Sequence, residues 1–160
     1  MTATSEAALC ARNNALWCDA VCRAHGRPGE FLAGLWLNRQ PVPRFYSNAI
    51  TLSPKDLAGQ RAWVAHLMTR RPSFSVKDSF AALDLSDLGF DVLFEATWLW
   101  HDPVRRTQES ATHPGVVWSV VTDAAGLARW EAAWAGLHAG QTLPGNERIF
   151  RRGLLHEPGV

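Results

Sequence analysis

No run in this 160-residue sequence approaches the roughly 20 consecutive apolar residues that cross a bilayer, and Met1 to Asn14 hold no continuous apolar stretch of a secretory leader. A cytoplasmic protein without a membrane partner is therefore expected. Cysteine is scarce too: Cys10, Cys18 and Cys22 are odd in number and crowded together, which is no disulfide framework for a chain of this size, so reduced thiols are expected. Excess charge is missing. The formal net charge is +1, and the basic residues form isolated pairs (Arg70-Arg71, Arg105-Arg106, Arg151-Arg152) instead of a stripe, which leaves little counterion release to drive nucleic-acid binding. No nucleic-acid partner is expected. The G-x-x-x-x-G-K-[ST] and G-x-G-x-x-G phosphate cradles and the G-x-S-x-G serine elbow are absent, removing the usual supports for phosphoryl transfer, dinucleotide binding and serine hydrolysis.

What is present suits one folded domain spanning 1–160, with 1–12 read as a flexible lead and 101–115 as an exposed polar loop. Hydrophobic residues make up 47% and charged residues 19%, enough for a core at a length that buries roughly 70% of the unfolded chain's surface. There are eight tryptophans. Each ring buries roughly 150 to 250 Å², a gross gain of about 4 to 6 kcal/mol, so most are expected in the core.

The expected architecture is mixed α/β (α+β): a twisted, mostly antiparallel sheet flanked by helices. Asn13 or Asn14 is suited to cap a first helix carrying Trp17, Val21 and Ala24 on one face and closed at Gly26. Phe31 to Leu37 is a strand or a short helix, Gln40 to Arg44 an extended linker, and Phe45 to Leu52 a strand. Ser53-Pro54 opens a second helix through Leu57, Arg61, Val64 and Met68 to about Thr69, ended by Pro72. Gly89 marks a turn before the clearest alternation in the chain, Asp91 to Trp100. There Val92, Phe94, Ala96, Trp98 and Trp100 share one wholly apolar face, predicting a sheet strand. Val116 to Val121 predicts another strand. A third helix follows, capped by Thr122 or Asp123, carrying Leu127, Trp130, Trp134 and Leu137, and closed at Gly140.

Cys18, Cys22 and His25, at i, i+4 and i+7, set two thiols and an imidazole on one helical face, a partial soft-metal set. A structural zinc needs a fourth ligand, and no metal is expected. The other histidines are scattered singly, and Asp84, Asp87 and Asp91 read as a solvated acidic loop.

Two stretches, Asn13 to Gly26 and Ser75 to Leu85, the latter running on through Gly89-Phe90 and Leu93 to Trp98, resemble the amino-terminal half of a bacterial group identified as GNAT-family N-acetyltransferases. The resemblance implies a partial or degenerate GNAT fold, acetyl-CoA as donor and a small-molecule amine as acceptor. It further implies a cofactor site in a second half and a domain incomplete or inactive alone. The family's pyrophosphate turn, [QR]-x-x-G-x-[GA], has its nearest counterpart in Arg23-Ala24-His25-Gly26-Arg27-Pro28. That string follows a helix and ends in proline, which donates no amide, so no cofactor-binding residue is assigned. No catalytic residue is assigned either. Trp17, Asp19, Lys77, Asp78 and Ser79, next to the matching motifs, are candidates to line a cleft; the simpler alternative is that Trp17 packs and Lys77-Asp78 pair at a turn. The rival reading is a non-enzymatic interaction or self-association module, a homodimer or one half of a domain pair, recruited through an unfinished sheet edge or exposed tryptophans.

Overall fold

The computed structural model describes residues 5–70, 74–101 and 116–157. The fold is mixed α/β. Helix α1 spans Glu6–Ala24, and strands β1 (Glu30–Leu32), β2 (Leu35–Leu37), β3 (Ala49–Thr51) and β4 (Val76–Lys77) form one sheet in the order β1-β2-β3-β4. Helix α2 (Leu57–Met68) carries the chain from β3 to β4, and α3 (Ala124–Trp134) follows with a short 3-10 turn at Arg152–His156. The two pairings β1–β2 and β2–β3 are antiparallel, while β3–β4 is parallel, as a helical crossover between neighbouring strands requires. No helix among the described residues is long and apolar enough to cross a membrane.

The sheet lies between α1 and α2. Leu35, Leu37 and Ala49 cluster with Val64 and Leu67 of α2, while Trp36 and Ile50 cluster with Ala15, Cys18 and Cys22 of α1. With both faces covered, β2 is apolar at every position and shows no alternation. A third cluster joins Ala20 and Val21 of α1 to Leu127 of α3 and to Ile149, Phe150 and Leu154 of the C-terminal segment.

Helix ends follow local chemistry that the sequence only partly exposes. Ser5, and not Asn13 or Asn14, caps α1, its hydroxyl accepting from the Ala8 amide, so 6–12 are already helical. At the other end Gly26 takes φ +71, and the Gly26 and Arg27 amides bond back to the Arg23 and Cys22 carbonyls, the paired closure of a Schellman motif. Helix α3 closes in the same way four residues before the expected Gly140: Gly136 at φ +73 and Leu137 bond to Ala133 and Ala132. Asp123 caps its start through the Gly126 amide. For α2 the cap is Asp56, bonded to the Gly59 amide, instead of Ser53. The expected stop at Pro72 lies outside the described residues, as does the 101–115 loop beyond His101.

Phe31 to Leu37 is a hairpin, β1 and β2 joined at Ala33-Gly34, and Phe45 to Leu52 shrinks to the three residues of β3. Two expected strands, Asp91 to Trp100 and Val116 to Val121, are not strands: neither shows any regular element. Alternation prepares a segment for a ladder, but a ladder needs a partner, and neither segment has one among the described residues. The tryptophan expectation fails with them. Only Trp36 is fully buried; Trp17 and Trp98 are half-buried, and Trp63, Trp100, Trp118, Trp130 and Trp134 are exposed.

Candidate functional site

The five cleft candidates fall into three environments. Trp17 packs in the α1–α3 cluster, its ring centroid 6.0 Å from that of Phe150. Asp19, two residues on and so roughly on the opposite side of α1, is buried against the sheet: its Oδ1 accepts from the Gly29 amide at 2.8 Å and Trp36 Nε1 at 3.1 Å, and its Oδ2 pairs with Arg23. Gly29 is required there by close approach, since a Cβ would lie 2.5 Å from the Trp36 ring. These contacts make Asp19 a brace between α1 and the hairpin.

Lys77, Asp78 and Ser79 sit together at the end of β4. The Asp78 carboxylate gathers the turn around itself, accepting from Thr51 Oγ1 at 3.0 Å and from the amides of Phe80, Ala82 and Leu83 at 3.2, 2.6 and 2.7 Å. Its acceptor capacity is spent on the fold. The Ser79 amide donates to Thr51 Oγ1 at 2.7 Å, and the Ser79 carbonyl accepts from Trp98 Nε1 at 2.8 Å; the buried Ser79 hydroxyl has no partner among the described residues. Lys77 Nζ donates to Asn14 Oδ1 at 3.0 Å and lies 4.5 Å from the Trp98 ring centroid. Burial lowers the pKa of this amine. The expected pairing of Lys77 with Asp78 gives way to Lys77 against Asn14 and Trp98.

Sequence reasoning missed three participants. Asn14 stands one helical turn before Cys18, a spacing that puts its amide on the sheet-facing side of α1, although an asparagine near a helix start equally suits a cap. Trp98 ties the 91–100 segment to the edge of the sheet. Glu131 is 1% exposed and holds the C-terminal segment: Oε1 accepts from the Ile149 and Phe150 amides at 2.6 and 2.9 Å, and Oε2 from Arg148 Nε at 2.7 Å. Its place midway between Leu127 and Trp134 on the core face of α3 is the signal that a carboxylate is buried there.

Cys18 and Cys22 are buried between α1 and the sheet, and His25 Nε2 lies 2.7 Å from the Ile149 carbonyl oxygen at the helix end. Among the described residues no group of three His, Cys, Asp or Glu is arranged to hold a metal ion. Burial pushes the Cys18 thiol up from 9.0 to about 12 and Cys22 to about 11, so neither is a thiolate nucleophile near neutral pH. The linkage has a definite sign. The folded state holds protons that the unfolded chain releases above pH 9, so the stability these thiols confer is fully present below pH 9 and lost as pH rises toward 11 and 12. Tyr46, also raised by burial, acts in the same sense, and Lys77 opposes them. Urea titrations at pH 8 and pH 11 are expected to differ by several kcal/mol, Cys18 supplying on the order of 3 kcal/mol; a Cys18→Ala, Cys22→Ala variant should lose most of that difference.

Two shallow hollows lie apart from these residues, one against Ala62, Trp63 and His66, the other between Ser119 to Asp123 and Arg129 and Trp130 of α3. Neither receives a cleft candidate. The most conspicuous surface feature is the 91–100 segment: Val92, Leu93, Phe94 and Leu99 are 80 to 90% exposed, and Val117, Trp118 and Val120 are exposed to a similar extent. No family model, curated protein or solved structure matches this chain.

Proposed function

We infer that this chain is a protein-interaction module that offers residues 91–100 as a strand to a polypeptide partner. One observation carries the reading: a decad with strand alternation lies outside the sheet, its apolar side chains open on both faces, and Asp91 to Thr97 make no hydrogen bond among the described residues. Isolated exposed apolar residues are ordinary, but three in succession, Val92 to Phe94, with Leu99 in the same segment mark a contact surface. Main-chain pairing would supply affinity and the alternating side chains specificity, the chemistry of strand addition.

The GNAT resemblance favours a second reading that the unfinished sheet also suits. The chain is then an acetyltransferase-related domain, incomplete or inactive alone, that would move acetyl from acetyl-CoA to an amine once completed by a partner. Calorimetry tests it: saturable heat with acetyl-CoA from the isolated chain supports cofactor binding, and no heat at millimolar cofactor removes the enzyme reading for the chain alone.

For the interaction reading, hydrogen exchange is decisive. Amides of 91–100 are expected to exchange within seconds in dilute monomer and to slow on association. Strong protection of that segment in a verified monomer would mean pairing inside its own chain and would end the proposal.

A further inference from the structure

Resting on the interaction reading, we propose that the partner strand is the same segment of a second copy of this chain, paired antiparallel about a two-fold axis at Ala96. The order of side chains carries this. About Ala96, Phe94 faces Trp98, Leu93 faces Leu99, Val92 faces Trp100, Glu95 faces Thr97 and Asp91 faces His101 of the other copy. Every apolar residue meets an apolar one, the acidic Asp91 meets an imidazole able to donate to it, and the small Ala96 occupies the axis, where identical side chains must meet. Such cross-strand pairs are the stabilising unit of a sheet, and a symmetric dimer requires a self-complementary surface of this kind.

Neighbouring registers are worse. An axis between two residues sets the apolar even-numbered face against the mixed odd-numbered one. An axis at Glu95 places two carboxylates directly opposite, and one at Thr97 sets Glu95 against Leu99 and Leu93 against His101. Val92, Leu93, Phe94 and Leu99, 80 to 90% exposed, supply the apolar surface that this pairing covers. Trp98 gives the strand its station: Nε1 bonded to the Ser79 carbonyl and the ring against Lys77 hold the segment to its own sheet edge, with the Cys10 thiol donating to the Leu99 carbonyl at 3.9 Å, leaving the side chains of Val92 to Phe94 and Leu99 open.

Analytical ultracentrifugation of the full chain, with thiol cross-linking, tests the proposal. The wild type is expected to dimerise reversibly. Ala96→Arg, which sets two guanidinium groups face to face on an exposed position, should raise the dimer dissociation constant at least about tenfold with an unchanged far-UV spectrum, whereas Ala96→Val should keep the dimer. In a Cys10→Ser background, Ala96→Cys should form a covalent dimer under mild oxidation or with a short bis-maleimide, because Cys18 and Cys22 are buried. A dimer indifferent to Ala96→Arg and not cross-linked at position 96 overturns the proposal. So does a chain monomeric up to about 100 µM. Rapid exchange of 91–100 in that monomer would overturn the second copy alone, while protection there would overturn the interaction reading as well.

Discussion

Asp19→Ala is expected to destabilise the protein by about 3 to 5 kcal/mol, and Asp19→Asn by only about 1 kcal/mol, in urea denaturation at neutral pH. The difference separates two roles of one carboxylate. Oδ1 satisfies the Gly29 amide and the indole N–H of Trp36, whose side chain is fully buried. Alanine leaves both donors orphaned in the layer between α1 and the sheet. Asparagine keeps an acceptor in that place, loses the pairing with Arg23 and turns a donor toward it, a cost kept small because Arg23 is 41% exposed, can move into solvent and is also bonded to Glu157. Such a solvent-screened pair is worth little. Equal losses in the two variants would show that the charge pair, and not acceptance from Trp36 and Gly29, is what Asp19 supplies.

Glu131→Ala is expected to cost a similar amount, about 3 to 5 kcal/mol, and to act on a different part of the molecule. It strands the buried amides of Ile149 and Phe150 between α3 and the C-terminal segment and takes the ion-pair partner from the part-exposed Arg148, which keeps its bond to the Phe150 carbonyl. Phe150 is the aromatic hub there, with ring centroids 6.0 Å from Trp17, 4.7 Å from Trp130 and 5.5 Å from Trp134. Loosening the segment should therefore alter tryptophan emission and speed amide exchange at 149 and 150 before global unfolding. Glu131→Gln should fall between wild type and alanine, because its carboxamide accepts on one side but turns a donor toward Arg148 on the other. Unchanged exchange at these amides in Glu131→Ala would refute the anchoring role.

The legible parts of the fold were those governed by a repeat along the chain. Trp17 and Val21, then Leu57, Arg61, Val64 and Met68, then Leu127, Trp130 and Trp134 recur at three- or four-residue spacing, so all three helices are readable, though their ends depend on Ser5, Asp56 and Gly136, where several neighbouring residues would serve equally as punctuation. Strands of two or three residues show no period, and β2, covered on both faces, has none to show. Of the cleft candidates, the sequence placed Lys77, Asp78 and Ser79 together by adjacency, but not the Asn14 and Trp98 contacts that define their surroundings.

The sequence by itself determined a mixed α/β chain of near-neutral charge with three amphipathic helices, because helical periodicity and charge are properties of consecutive residues. Only the tertiary structure decided that Asp19 and Glu131 are buried braces, that Cys18 and Cys22 are shielded thiols, and that the best strand pattern in the chain stands outside the sheet. Burial and ladder pairing are relations between segments far apart along the chain. A segment's own residues fix its readiness for such a relation and leave open whether a partner meets it.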